Sequence, residues 1–321
     1  MKRIIVWFDA TILDLGRQLR WSFLPPLMVY FAAGISGLSA IVGTFFVKES
    51  LGLSAAFLSG LAFWAGLPWA LKMPLGHLVD IIWRWKSLLV YFGAALIAAS
   101  LLIMYGLVTA PEAMSRWMSL ETWYVVSVLL APLGYVVQDA VADAMSVEAV
   151  PRVDESGQAL GEAETKTLHT TMQTLGRIAL ISGFVVVAVV NIFMFAGVEN
   201  MSRIEKVDVY ARIYLLALLI PLISISGTIL GEFIKYQRKK YLRDAGLDAD
   251  EISAMVDHQG EPTEINPLYF IGGVAFVVLT LAVGIFDVPF SQEIVFTGSM
   301  AIVLFLMSQL IRELDRDKAL A

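Results

Sequence analysis

Apolar residues fall along this chain in long unbroken runs, not at the 3.6-residue spacing of a one-faced helix or the two-residue alternation of a half-buried strand. Eight such runs of about twenty residues occur, at 24–47, 54–75, 88–108, 123–144, 168–196, 213–233, 268–286 and 294–314. Backbone amides in hydrocarbon must bond within their own segment, so each run predicts a membrane-spanning helix. Polar stretches divide the chain into a segment at 1–21, a six-helix bundle at 22–234, a charged linker at 235–266, two further helices at 267–314 and a tail at 315–321. The first segment is not a cleavable signal, because its apolar run at 4–8 is too short. Trp7, Phe8, Ile12, Leu15 and Leu19 beside Arg17 and Arg20 fit either an interfacial helix or a loosely ordered tail.

Composition strengthens the membrane reading. Hydrophobic residues make up 58% of the chain and charged residues 16%, with a mean hydropathy of +0.74, a balance that no soluble core of this size absorbs. With no cysteine, disulfides, thiolate metal sites and cysteine nucleophiles are excluded, and the three histidines, His77, His169 and His258, form no ligand motif. The H-E-x-x-H, Walker and G-x-S-x-G patterns are missing, so neither an enzyme, a metal nor a cofactor is expected. The net charge of −6 gives no ground for a nucleic-acid partner, since its distribution over the loops carries more information than the sum. Basic residues predominate in the loops that share a side with the N-terminus, which predicts both termini in the cytoplasm, in a bacterial inner (plasma) membrane. The run around Lys235, Arg238, Lys239 and Lys240 is read as an inside anchor on a solvated helix extension, with a contact for anionic membrane lipid as the alternative.

Ionised side chains inside such runs are costly and predict a task or a partner. Asp139 and Asp143, four apart, share a face of the fourth helix; Gln173 and Arg177 do the same on the fifth. Counted at about 1.5 Å per residue from Glu148 and from Lys166, Asp139 and Arg177 lie at similar depth, so the two are expected to meet. Asp139, Asp143, Gln138, Gln173 and Arg177 are read as lining one half of a central cavity. There arginine would receive a carboxylate of the solute and a desolvated aspartate would carry a proton. A static Asp139–Arg177 pair that only fixes helix packing is the alternative. Lys72, followed by Pro74, is assigned either to the cavity or to the interface, which its long side chain can reach. The tryptophans near span ends are read as interface belts, without a ligand.

Between the second and third spans the chain reads Gly76-His77-Leu78-Val79-Asp80-Ile81-Ile82-Trp83-Arg84-Trp85-Lys86. This resembles the gate signature of the major facilitator superfamily, G-x-L-x-D-x-x-x-R-x-K. In physical terms Gly76 would permit close helix approach, while Asp80 would pair reversibly with a base or with the positive end of a neighbouring helix; Arg84 and Lys86 complete the signature, and an ordinary interfacial loop is the alternative. The stretches Gly37-Leu38, Phe46-Val47-Lys48-Glu49-Ser50-Leu51-Gly52-Leu53-Ser54, Pro68-Trp69-Ala70-Leu71-Lys72-Met73-Pro74 and Gln138-Asp139-Ala140-Val141-Ala142-Asp143-Ala144 together resemble the folate-biopterin transporter family, a branch of those facilitators. The resemblance implies an all-α fold with a facilitator-like N-terminal bundle, alternating access, and a folate or pterin solute driven by a proton. Pterins present amide and amine edges that carboxylates and glutamine can pair with.

A facilitator has a second six-helix bundle, whereas two spans follow the linker here. A fragment of a longer chain is the favoured expectation; a half-transporter that pairs with a second chain, or a protein that has abandoned transport, are the others. The final two helices are read as an inserted pair, because they carry no copy of the gate signature. Against solute transport stand a membrane assembly factor, of the kind that delivers pigment to light-harvesting complexes, and a non-transporting scaffold.

Overall fold

The computed structural model describes residues 19–46, 51–151, 158, 160–256, 267–285 and 288–313. All regular structure among them is helical. The helices are α1 (Leu24–Gly34), α2 (Ala40–Phe46), α3 (Ala55–Ala70), α4 (Lys72–Ile81), α5 (Lys86–Thr109), α6 (Pro111–Ser115), α7 (Leu120–Ala149), α8 (Glu162–Met194), α9 (Arg203–Ala217), α10 (Leu219–Asp244), α11 (Ala249–Val256), α12 (Pro267–Ile285) and α13 (Ser291–Glu313). Among the described residues five stretches are long and apolar enough to cross a membrane: Trp21–Thr44, Trp83–Thr109, Leu120–Ala149, Glu162–Asn200 and Arg203–Asp244. The chain is an all-helical polytopic membrane protein.

The expected spans at 88–108, 123–144, 168–196 and 213–233 lie within four of these five, and the one at 24–47 overlaps the first, which ends at Thr44. The last two, at 268–286 and 294–314, correspond to the shorter apolar segments Phe270–Thr280 and Glu293–Ser308. The second, at 54–75, is not one helix: α3 stops at Ala70, and α4 starts again at Lys72. Proline explains the break, because its ring clashes with the carbonyl four residues back, and four residues before Pro74 is Ala70. The same spacing recurs at Pro221, four residues after α9 ends at Ala217. The predicted interfacial segment at 1–21 falls almost wholly outside the described residues, as does the tail at 315–321.

Three helices begin on a serine that satisfies an otherwise orphaned amide. Ser54 accepts from the Phe57 amide at 3.1 Å and Ser119 from the Thr122 amide at 3.1 Å, while Ser202 and Glu205 form a reciprocal capping box. Packing then follows from small residues, since lipid is as apolar as the side chains and association rests on close contact. A Cβ on Gly93 would lie 2.7 Å from the Gly134 carbonyl oxygen, so α5 and α7 touch backbone to backbone. Two turns further along, Ser100 donates to the Ser127 carbonyl at 2.8 Å. Similarly Gly34 of α1 and Gly183 of α8 leave no room for a side chain between them. α1 is enclosed by α7, α8 and α10; α3 and α4 lie along α7, and α12 along α4.

Candidate functional site

The break at Leu71 determines where Lys72 goes. As the first residue of α4 it directs its ammonium across to α7, where Nζ lies 2.5 Å from Asp139 Oδ2 and 2.9 Å from Asp143 Oδ2. The two carboxylates are reached together because they stand one helical turn apart on one face. Asp143 also accepts a hydrogen bond of 2.7 Å from the Tyr30 hydroxyl on α1. The Tyr30 ring is seated against Gly176 of α8, where a Cβ would come within 3.0 Å. Four helices therefore converge on two carboxylates and one ammonium, which together carry a net charge of −1 when all are ionised. Asp139 is the inner partner, its side chain 12% exposed, while Asp143 at 46% and Lys72 at 40% open outwards.

They open onto a cleft of about 600 Å³. Its polar lining includes Lys72, Asp80 and Asp143, and its aromatic lining is Trp69 and Trp83. Sequence reasoning placed both tryptophans in interface belts and gave Tyr30 no part. A tyrosine inside an apolar helix is a donor needing an acceptor, and that signal was present in the sequence.

The other expected members are distributed differently. Gln138, one residue from Asp139 and so turned about 100° from it, is buried away from the cleft and donates to the Val90 carbonyl at 3.1 Å and to Ser224 Oγ at 2.9 Å. Gln173 reaches the cluster's neighbour Ser146, at 3.3 Å, and Ser146 donates to the Asp143 carbonyl at 2.7 Å. The structure does not pair Asp139 with Arg177. Depth counting placed the two level; in the structure Gly176, next to Arg177, sits against the Tyr30 that bonds Asp143, one turn along α7 from Asp139, and Arg177 is one residue past the position that faces α1. Its side chain is exposed, with no ion pair among the described residues.

The gate-like segment is also rearranged. Gly76 lines the cleft, and a Cβ there would meet nothing within 4 Å, so this glycine does not serve a close helix crossing. Asp80 and Arg84 are exposed and form no ion pair with each other among the described residues. Lys86 is buried; its Nζ sits 3.0 Å from Glu148 and 4.1 Å from the centre of the Trp83 ring. Glu148 meets Lys235 as well, at 2.8 Å, so one carboxylate ties the start of α5 and the end of α7 to the second half of α10.

The chain is 31% identical over 157 residues to a folate-biopterin transporter of Synechocystis sp., a match that covers 48% of this chain and 29% of that protein. The matched region thus spans less than a third of the curated relative's length. No family model and no solved structure matches the chain.

Proposed function

We propose that the chain carries the solute-binding half of a secondary transporter for a small organic solute of the folate or pterin class. Both termini would face the cytoplasm, and a proton would be the coupling ion. The observation that carries this reading is the Lys72–Asp139–Asp143–Tyr30 cluster, two carboxylates of a spanning helix with an ammonium and a hydroxyl from its neighbours, which opens onto a 600 Å³ cleft. Charged groups inside a membrane mark solute or ion paths more often than mere supports. Carboxylates accept from the amine and amide edges of a flat heterocycle, and the exposed face of Trp69 offers it a stacking surface. Arg177, exposed on α8 at the level of Asp143, would take a carboxylate of the same solute bidentately. A proton on Asp139 or Asp143 would release Lys72, and with it α4, whose far end carries Asp80. Similarity to a named folate-biopterin transporter supports the solute class.

Uptake of radiolabelled folate into vesicles containing the full chain tests the proposal. Asp143→Asn and Asp139→Asn, each at normal membrane abundance, are expected to abolish uptake, and uptake by both equal to that of the unaltered protein would remove the acidic pair from the mechanism.

A further inference from the structure

The two helices beyond the linker lie beside this cleft. Adjacent glycines on α12 set their position by facing different neighbours. A Cβ on Gly272 would stand 3.3 Å from Ile302 and Leu306 of α13, whereas one on Gly273 would stand 3.0 Å from the Pro74 ring of α4. α12 is therefore held between α13 and the broken second span, with Phe276 buried against the cluster that contains Phe63, Leu67 and Leu71. One turn along α4 the contact continues, the His77 and Phe270 rings lying 5.4 Å apart. This docking brings α13 round to the cleft, which it lines with Val303.

We propose that the α12–α13 hairpin is the lipid-side wall of the cleft, and that Val303 sets the width available beside Lys72 and Asp143. The cleft then has an ionic patch from α4 and α7, set among the aliphatic side chains Val79 and Val147 of the same helices, with Val303 of α13 completing its apolar lining. Its ligand must match both, with a hydrogen-bonding edge for the carboxylates and a flat apolar face for Val303. A compact, fully hydrated anion or sugar lacks the second feature. Only this statement about the ligand rests on the transport reading; the wall is a separate matter.

Because the chain has no cysteine, the wall can be probed with one. Gly76→Cys places a thiol in the open space of the cleft. In vesicles containing the full chain, its alkylation by fluorescein maleimide is compared with that of Glu162→Cys, an exposed site at the start of α8. Adding Val303→Trp is expected to slow labelling at Gly76→Cys several-fold and leave Glu162→Cys unchanged. Gly273→Leu, which forces α12 off Pro74, is expected to speed it. Val303 is itself partly exposed, so the tryptophan variant does not depend on repacking a core. Unchanged labelling at Gly76→Cys in the Val303→Trp protein, or equal slowing at both thiols, would overturn the wall. Folate uptake separates the two readings: slowed labelling with undiminished uptake keeps the wall and removes the solute from the cleft.

Discussion

Replacing Lys72 by methionine would leave Asp139 and Asp143 facing each other one helical turn apart with no cation between them. Removing one partner of a charged set costs more than removing both, because the remaining charge keeps its desolvation penalty. Lys72 and Asp143 are partly open to the cleft, so the loss in stability should be at the lower end, about 1–3 kcal/mol. Adding Asp139→Asn to Lys72→Met should recover part of that loss, with a coupling of about 0.5–3 kcal/mol in a double-mutant cycle followed by thermal unfolding in detergent. Strict additivity would mean that the ion pair is not formed in the membrane. At this scale the sequence was partly legible. The four-residue spacing placed Asp139 and Asp143 on one face, but not which cation meets them. That depends on the azimuth of Lys72, and the azimuth is reset at the helix break. Gln138 illustrates the converse, a polar residue beside the acidic pair that serves the packing of α5, α7 and α10.

Helices as units were more legible than their side chains. Length and hydropathy alone locate the five long spans, because the bilayer imposes a minimum run of apolar residues. What length does not convey is where proline divides a run, as at Ala70, or how helix ends are tied. Glu148 closes α7 onto α5 and α10 through Lys86 and Lys235, and it is a buried member, its side chain 11% exposed. Glu148→Gln leaves the buried Lys86 ammonium without its carboxylate, while Lys235 keeps a 4.0 Å contact with Glu232, and should cost about 3–5 kcal/mol. Lys235→Met should cost less, since Glu148 keeps Lys86. Thermal unfolding of the two variants checks the order; a milder loss for Glu148→Gln would show that water, not lysine, satisfies this carboxylate. The second element of interest is the Gly-X-L-X-D segment. Its residue types match the gate signature, yet Gly76 borders open space, so the motif's meaning here comes from what it surrounds.

For the molecule as a whole, the telling asymmetry is in α8. The most apolar part of the stretch Glu162–Asn200 is 11% buried, against 39–44% for the same part of the other four spanning stretches. Its exposed surface has two characters, centred about 110° apart around the helix. Ile178 and Val185 present aliphatic groups suited to acyl chains, whereas Gln173 and Arg177 present polar ones. An arginine at the centre of a spanning helix costs about 2.5–3.5 kcal/mol on insertion scales when it faces lipid, so the Arg177 side calls for water or for another protein body. Only the first of these leaves a thiol reactive from the aqueous phase. On the transport reading, Gln173→Cys should react with a charged, membrane-impermeant thiol reagent while Ile178→Cys and Val185→Cys stay unlabelled. Labelling of Ile178→Cys with Gln173→Cys silent would turn the bundle round, placing the carboxylates and Arg177 against the acyl chains, and a solute path along them would then have no physical basis. Silence at Gln173→Cys that is relieved by detergent would instead indicate a covering body, and the site would be one that closes across an interface.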